Sequence, residues 1–474
     1  MKILIIESIA ATPHLETSGE IAIREKKKGN DVIFSWVGNN LPWNDWQLNW
    51  VYRFVGGSYE KKLNDFCNIL EKNKINVKNF DEKINLSKIE KWSKEFRGNL
   101  KQLKKYKYDG CNLGTSVASS LISKFRDINV DINKEISKVN PLLYSSALIY
   151  ERAKNRINFI KPKKIFTFNN RFATTYPIIA AAEKFNIDIL IHERGSDLNK
   201  FEIYKRDVHD INLIKKSIDK YWKLNEQKSK ITNAKKFFLN KVSGKTLGKK
   251  NMINFTNNQI KNYLPKLPSD KRIVTFYSSR DYEKASIINQ EFNQMKAFIN
   301  LKKIISKFKD IHLVVRVHPT LKKNKSDDDT EWLAFKNKNT TIIQSFEKID
   351  TYSLMFKSDI VITYTSSIIV EASYFNKPTI CLGKFWWSGK NITEEPKNNL
   401  ELKKMLQKNY KFKKKNINAC LKIANYFLNY GKKFKYYKPI NEVKGLFLGK
   451  LLSWKPYLIL KTEEFIKKIK LQIL

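Results

Sequence analysis

Short apolar segments alternate with helical ones along both halves of this chain, and that rhythm limits the fold more than any other feature. In the first half, Lys2–Ser8 and Asp31–Val37 read as strands flanking a helix over Gly19–Gly29. A strand over Lys164–Asn169, a helix over Phe172–Phe185 and a strand over Asp188–His192 repeat the unit. The second half restarts it with strands over Arg272–Tyr277, Ile311–Val317, Asn339–Gln344, Ile360–Tyr364 and Thr379–Leu382. Helices over Gln290–Phe308, Thr351–Lys357 and Ile368–Phe375 lie between them. Parallel strands need crossover connections, so this pattern predicts α/β architecture with two parallel sheets, each covered on both faces.

A chain of 474 residues is too long for one ordinary core. The boundary is expected in Ser243–Asp270, where Gly244, Gly248, Pro265 and Pro268 follow a charged helical stretch over Ile211–Val242. The expected parts are therefore residues 1–245, 246–440 and a tail, 441–474. In the first part, Leu41–Tyr59 reads as a connection rich in tryptophan (Trp43, Trp46, Trp50), and Asp131–Ile160 as a long helix. The tail is apolar with interspersed lysines from Leu446, and its last stretch, Glu463–Leu474, reads as a basic amphipathic helix. Such a helix suits an anionic membrane surface or a packed C-terminus.

Four cysteines (Cys67, Cys111, Cys381, Cys420) lie far apart without metal-binding spacing, a pattern of reduced, cytoplasmic proteins. Met1–Glu7 reaches a carboxylate within seven residues and reads as a strand rather than a leader. The net charge of +44 comes from 90 basic against 46 acidic residues. The lysines are dispersed and come with no zinc finger, arginine-rich reading helix or aromatic RNA signature, so no nucleic acid partner is expected. Anionic ligands and an acidic lipid surface fit better. Asp327-Asp328-Asp329 in a lysine-rich loop reads as solvated, and no metal is expected.

In an open parallel sheet, ligands bind beyond the strand C-termini. Two strands of the second half end there in polar groups: Val314-Val315-Arg316-Val317-His318-Pro319, and Ile360–Tyr364 running into Thr365-Ser366-Ser367. Hydroxyls and helix-start N–H groups suit a phosphate. Glu371, one turn on, has the reach to accept from ribose hydroxyls, unless it and the serines merely cap the helix. His318 is placed to donate to a phosphate oxygen, and Arg316, two residues earlier, to pair with an anion. Ser278, Ser279 and Arg280 end the first strand of this half and are expected at the same edge.

In the first half, Ile191-His192-Glu193-Arg194-Gly195-Ser196 ends a strand with ionisable groups and a glycine that lets backbone approach a ligand. Glu193 is the expected general base for an acceptor hydroxyl, with His14 as its rival. Asn169, Asn170 and Arg171 are expected to line the same edge, with His192, Arg194 and Gly195 on the acceptor.

Two Rossmann-like halves with no G-x-G-x-x-G fingerprint suggest the GT-B architecture of glycosyltransferases and argue against a dinucleotide enzyme. Arg316-Val317-His318-Pro319 followed by Thr365-Ser366-Ser367 and Glu371 resembles the bacterial capsule polysaccharide biosynthesis proteins. The resemblance spans about Ile187–Ser196 and Arg272–Gly383. It implies a transferase using a CMP-linked acidic sugar such as Kdo or sialic acid, in capsule or lipopolysaccharide assembly. In it His318, Ser366 and Ser367 hold the nucleotide phosphate, and Glu371 maps to the acid of the following helix. The His192–Gly195 stretch is similar, more loosely, to an acidic-glycine segment of Kdo transferases. The same His-Pro and Ser-Ser pattern occurs in polymerases that transfer glycerol phosphate from CDP-glycerol. A nucleotide sugar and a glycan or glycolipid acceptor are thus the expected partners, with no cofactor. Alditol-phosphate transfer and non-enzymatic polyanion binding are the alternatives.

Overall fold

The computed structural model describes residues 1–45, 57–78, 84–205, 207–224, 227–244, 255–280, 282, 293–319 and 328–453. Trp46, Trp50, Asp327 and the helix expected over Glu463–Leu474 lie outside them.

The N-terminal sheet is built from β1 (Lys2–Glu7), β2 (Asp31–Trp36), β3 (Asn76–Val77), β4 (Lys164–Phe168), β5 (Asp188–Arg194) and β6 (Lys200–Lys205). The C-terminal sheet contains β7 (Arg272–Tyr277), β8 (Ile311–Arg316), β9 (Thr340–Ile343), β10 (Ile360–Thr363) and β11 (Thr379–Cys381). Near the end of the described chain come β12 (Lys432–Lys433) and a small antiparallel sheet of β13 (Tyr437–Pro439), β14 (Lys444–Phe447) and β15 (Lys450–Ser453).

The C-terminal sheet runs β11-β10-β7-β8-β9, and every pair in it is parallel. Its strands are predominantly apolar because both faces are covered. Val274, Phe276, Leu313 and Val315 pack on one face against Phe298 and Leu301 of the helix Gln294–Ile305. Ile273, Tyr277, Val314 and Val361 pack on the other with the helices Ile368–Tyr374 and Ile417–Asn429. The first of these clusters is continuous with Val117, Leu121 and Leu142 of the N-terminal half.

The N-terminal sheet runs β12-β6-β5-β4-β1-β2-β3, with only β6 and β12 antiparallel to their neighbours. In both sheets the first strand is central and later strands are added on either side of it. A topological switch point therefore falls between β1 and β4, and another between β7 and β10. These are two Rossmann-like domains, each built on its own largely parallel sheet.

Several expectations are corrected. The first helix is His14–Lys27, beginning five residues before Gly19, so His14 is helical rather than on a loop. The charged stretch over Ile211–Val242 is two helices, Ile211–Leu224 and Gln227–Val242. The part assigned as a helical tail from 441 is, up to Ser453, the strand pair β14–β15. The chain also does not stay in the second domain to residue 440. After the helix Ile417–Asn429 it crosses back, and Lys432–Lys433 pairs with Phe201 and Lys200 of β6. Among the described residues, no helix is long and apolar enough to cross a membrane.

Candidate functional site

At the switch point of the C-terminal sheet, the loops after β7, β8 and β10 come together. Ser279 follows β7 and Thr365 follows β10, and their hydroxyl oxygens lie 3.4 Å apart. The Ser278 hydroxyl accepts the His318 main-chain N–H at 3.0 Å, tying the β7 loop to the β8 loop. The Ser278 N–H donates to the Arg316 carbonyl at 3.1 Å, continuing the ladder one residue past β7. His318 is half-buried at this edge, as is Arg280.

Two further contacts shape the corner. The Ser279 N–H donates to Gln294 Oε1 at 2.7 Å, and the Ser366 N–H donates to Thr363 Oγ1 at 2.7 Å, closing the turn after β10. A Cβ on Gly383 would lie 2.7 Å from the Tyr364 carbonyl and 2.9 Å from Thr365 Cγ2, so only glycine lets the two strand ends lie this close. Ser367 occupies the N-cap of the helix Ile368–Tyr374, yet its hydroxyl makes no capping bond. It is exposed and Ser366 is half-buried. Their hydroxyls are therefore not committed to holding the helix.

Two residues expected in this group are turned inward. Arg316 is 1% exposed and donates to the carbonyls of Gln344 at 2.6 Å and Glu347 at 3.2 Å. It braces the turn after β9 instead of meeting a ligand anion, because it points into the same side of the sheet as Val314. Glu371 has a side chain 5% exposed. One carboxylate oxygen accepts from Lys241 Nζ at 2.9 Å and the other from the Tyr352 hydroxyl at 2.7 Å. One turn into the helix it anchors the inter-domain helix Gln227–Val242, not a ribose.

On the other domain, beside the end of β4, Glu193 is the penultimate residue of β5 and is half-buried. Its Oε2 accepts from Asn169 Nδ2 at 2.8 Å and its Oε1 from the Arg194 N–H at 2.9 Å. Each oxygen keeps a second lone pair, so the carboxylate is oriented without being used up. Arg194 is half-buried beside it and reaches the Thr12 carbonyl at 3.3 Å.

The neighbouring expectations are redistributed. His14 is 3% exposed and stacks on Phe168, ring centroids 3.6 Å apart. Burial first, and then the neighbouring Arg194, His192 and Lys62, hold its pKa well below the usual histidine range. It is a packed neutral ring, no rival to Glu193 at the surface. His192 is fully buried, and its Nε2 meets Glu7 Oε1 at 2.9 Å and Ser18 Oγ at 2.8 Å. Asn170 donates to Asp207 at 2.8 Å. Gly195 is required by the chain's own crossing: a Cβ there would lie 2.6 Å from Lys200 Cβ.

Gln294, Lys241, Tyr352, Glu7 and Ser18 were not singled out in the sequence. Only Glu7 carried a signal, a carboxylate closing an apolar strand. No cluster of metal-ligating side chains occurs among the described residues.

Residues 284–391 match the family model of UDP-N-acetylglucosamine 2-epimerase, a span that includes His318, Thr365, Ser366 and Ser367. No curated protein matches the chain. Among solved structures, the chain is similar to a KpsC beta Kdo 2,7 transferase of Thermosulfurimonas dismutans. The identity is 13%, with 68% of this chain and 89% of that one covered and a TM-score of 0.36. A KpsC beta Kdo 2,4 transferase from the same organism matches at 13% identity, over 56% and 79% of the two chains, with a TM-score of 0.33. UDP-GlcNAc 2-epimerase of Methanocaldococcus jannaschii, in complex with UDP-GlcNAc and UDP, matches at 14% identity, over 89% and 98%, with a TM-score of 0.28.

Proposed function

We propose that the protein is a glycosyltransferase that takes a sugar from a nucleotide donor, an acidic sugar on CMP in the form argued from the sequence. The single observation that carries this reading is the corner at the second switch point. There Ser279 and Thr365 hydroxyls sit 3.4 Å apart, flanked by uncommitted Ser366 and Ser367 and by His318. A phosphate in that corner meets hydroxyl donors and an imidazole.

In the reaction, the acceptor hydroxyl oxygen attacks the anomeric carbon of the donor sugar. The bond from that carbon to the phosphate oxygen breaks, the electron pair leaves with the nucleotide, and Glu193 takes the hydroxyl proton. His318 and the hydroxyls stabilise the charge gathering on the departing phosphate. The expected setting is capsule or lipopolysaccharide assembly on a glycan or glycolipid acceptor, at the cytoplasmic face of an anionic membrane.

Thermal denaturation with CMP, CDP, UDP and GDP tests the reading. CMP is expected to stabilise the protein by about 2.7 kcal/mol at a hundredfold excess over its Kd. The Ser366→Ala/Ser367→Ala and His318→Ala variants are expected to lose that response. Stabilisation by none of the four nucleotides would overturn the proposal.

The match over residues 284–391 favours one second reading, epimerisation of a UDP-linked amino sugar. That reaction needs no acceptor, so NMR of UDP-GlcNAc incubated with the protein alone separates the two. A second UDP-sugar isomer appearing without acceptor supports epimerisation.

A further inference from the structure

Outside the outer strand of the five-stranded sheet, the chain between Gly389 and Lys415 encloses a cavity of about 420 Å3. The segment at Glu394 runs beside β11, bridged in parallel to Ile380. The Glu394 N–H donates to the Thr379 carbonyl at 3.0 Å and its carbonyl accepts the Cys381 N–H at 2.9 Å. The helix Asn399–Met405 and the stretch from Tyr410 to Lys415 close the other sides. None of these residues belongs to the nucleotide corner.

The wall holds both signs of charge; among the described residues no ion pair joins them, although Glu394 lies near enough to Lys415 to favour its charged form. Three of its groups are carboxylates, each tied to main chain through one oxygen. Glu394 accepts the Lys413 N–H at 2.8 Å, Glu395 the Gly389 N–H at 2.9 Å, and Glu401 the Lys397 N–H at 2.8 Å. Lys415 is 8% exposed and lines the cavity. Among the described residues its ammonium has no hydrogen-bond or ion-pair partner; it lies 5.5 Å from the centroid of the Phe412 ring. Its stem is buried while the ammonium faces the cavity. Burial lowers its pKa from the usual lysine range, and the nearby Glu394 carboxylate works the other way.

We propose that this cavity binds an acidic saccharide, a hydroxylated anion of one or two sugar units, at a site separate from the nucleotide corner. The buried Lys415 and the exposed Lys404 and Lys413 on the rim supply the cations for its carboxylate or phosphate. The free oxygens of Glu394, Glu395 and Glu401 accept from its hydroxyls, and Tyr410 offers an aromatic flank. A bare inorganic anion would face those three carboxylates without donors to satisfy them, so the mixed lining selects a polyol carrying one negative group. A volume of about 420 Å3 is in the range of small-molecule pockets. The inference stands on the cavity itself and does not depend on the transferase reading.

Isothermal titration of the full chain with glucuronate, glucose 1-phosphate and neutral glucose tests it. Either or both anions are expected to bind and glucose is not; the stronger anion identifies carboxylate or phosphate as the group recognised. Lys415→Met keeps the buried stem and should weaken anion binding by about tenfold or more, while the response to CMP is unchanged. Lys404→Ala, at an exposed position, provides the same reading without touching the core. Binding by neither anion, equal binding of glucose, or undiminished affinity in both variants would overturn the proposal. So would displacement of the anion by CMP, which would move it to the nucleotide corner.

Discussion

At the scale of single residues, the most consequential pair is one that sequence reading passed over. Lys62 and Glu16 are both fully buried, with Nζ 2.7 Å from Oε1. Lys62 also donates to the Ala10 carbonyl at 2.8 Å and to the Thr12 hydroxyl at 2.7 Å. The two thus hold the loop between β1 and the first helix, the loop whose Thr12 carbonyl Arg194 reaches beside Glu193. Among the described residues Glu16 Oε2 has no hydrogen-bond partner, so the pair is only partly compensated. Removing one member leaves the other charge buried alone. Lys62→Met is expected to destabilise by about 3–5 kcal/mol, and Lys62→Met/Glu16→Met to recover most of that loss. The urea midpoints of the two variants check this; equal midpoints would mean that Glu16 is tolerated unpaired. A lysine or glutamate in an amphipathic helix ordinarily reads as a solvated face, and nothing local to either residue says otherwise. The corner residues were easier to see. Ser278, Ser279, His318 and Thr365 all sit just past apolar runs, where strand ends declare themselves. Arg316 and Glu371 sat in the same motifs and misled, because a motif does not reveal which face of a strand or helix turns inward.

At the scale of elements, the strands of both sheets were legible because buried parallel strands are continuous apolar runs. The antiparallel additions were not. β6 (Lys200–Lys205) alternates Phe201 and Ile203 with Lys200, Glu202 and Tyr204, and β12 is two lysines, so neither shows the continuous apolar run of a buried parallel strand. What holds the returning segment is Glu20, a buried carboxylate on the first helix. It accepts the N–H groups of Lys435 at 2.8 Å, Tyr436 at 2.7 Å and Tyr437 at 3.2 Å. Phe447 of β14 then fits over Gly19, where a Cβ would lie 2.5 Å from its ring. Hydrogen bonds to a charged group are worth about 1.5–3 kcal/mol each, so Glu20→Ala should free this segment before anything else unfolds. Hydrogen exchange is expected to accelerate at residues 435–437 and 444–453 and to stay slow in β7, β8 and β10. Unchanged protection of the small sheet would show that Phe447 packing alone retains it.

At the scale of the whole molecule, the chain crosses between domains twice, through the helices Ile211–Leu224 and Gln227–Val242 and again after Asn429. Lys241 on the second helix holds Glu371, so the inter-domain connection is joined to the helix that follows the nucleotide corner. The excess of +44 charges draws any polyanion, which makes binding at low salt uninformative about that corner. Salt separates the two effects. A polyanion held by many lysines displaces condensed counterions, and its affinity falls steeply as salt rises, by about 10³–10⁵ between 50 and 200 mM for six to ten phosphate contacts. A mononucleotide held by Ser279, Thr365, Ser366 and His318 depends on short hydrogen bonds, which screening over a Debye length of about 8–10 Å barely reaches. Raising salt from about 50 to 200 mM is therefore expected to abolish retention on heparin while most of the CMP-induced shift in melting temperature survives. The surviving shift should vanish in Ser366→Ala/Ser367→Ala, whose net charge is unchanged. If the CMP shift instead falls in step with heparin retention, the nucleotide is held by diffuse charge, and the corner at the second switch point is not its site.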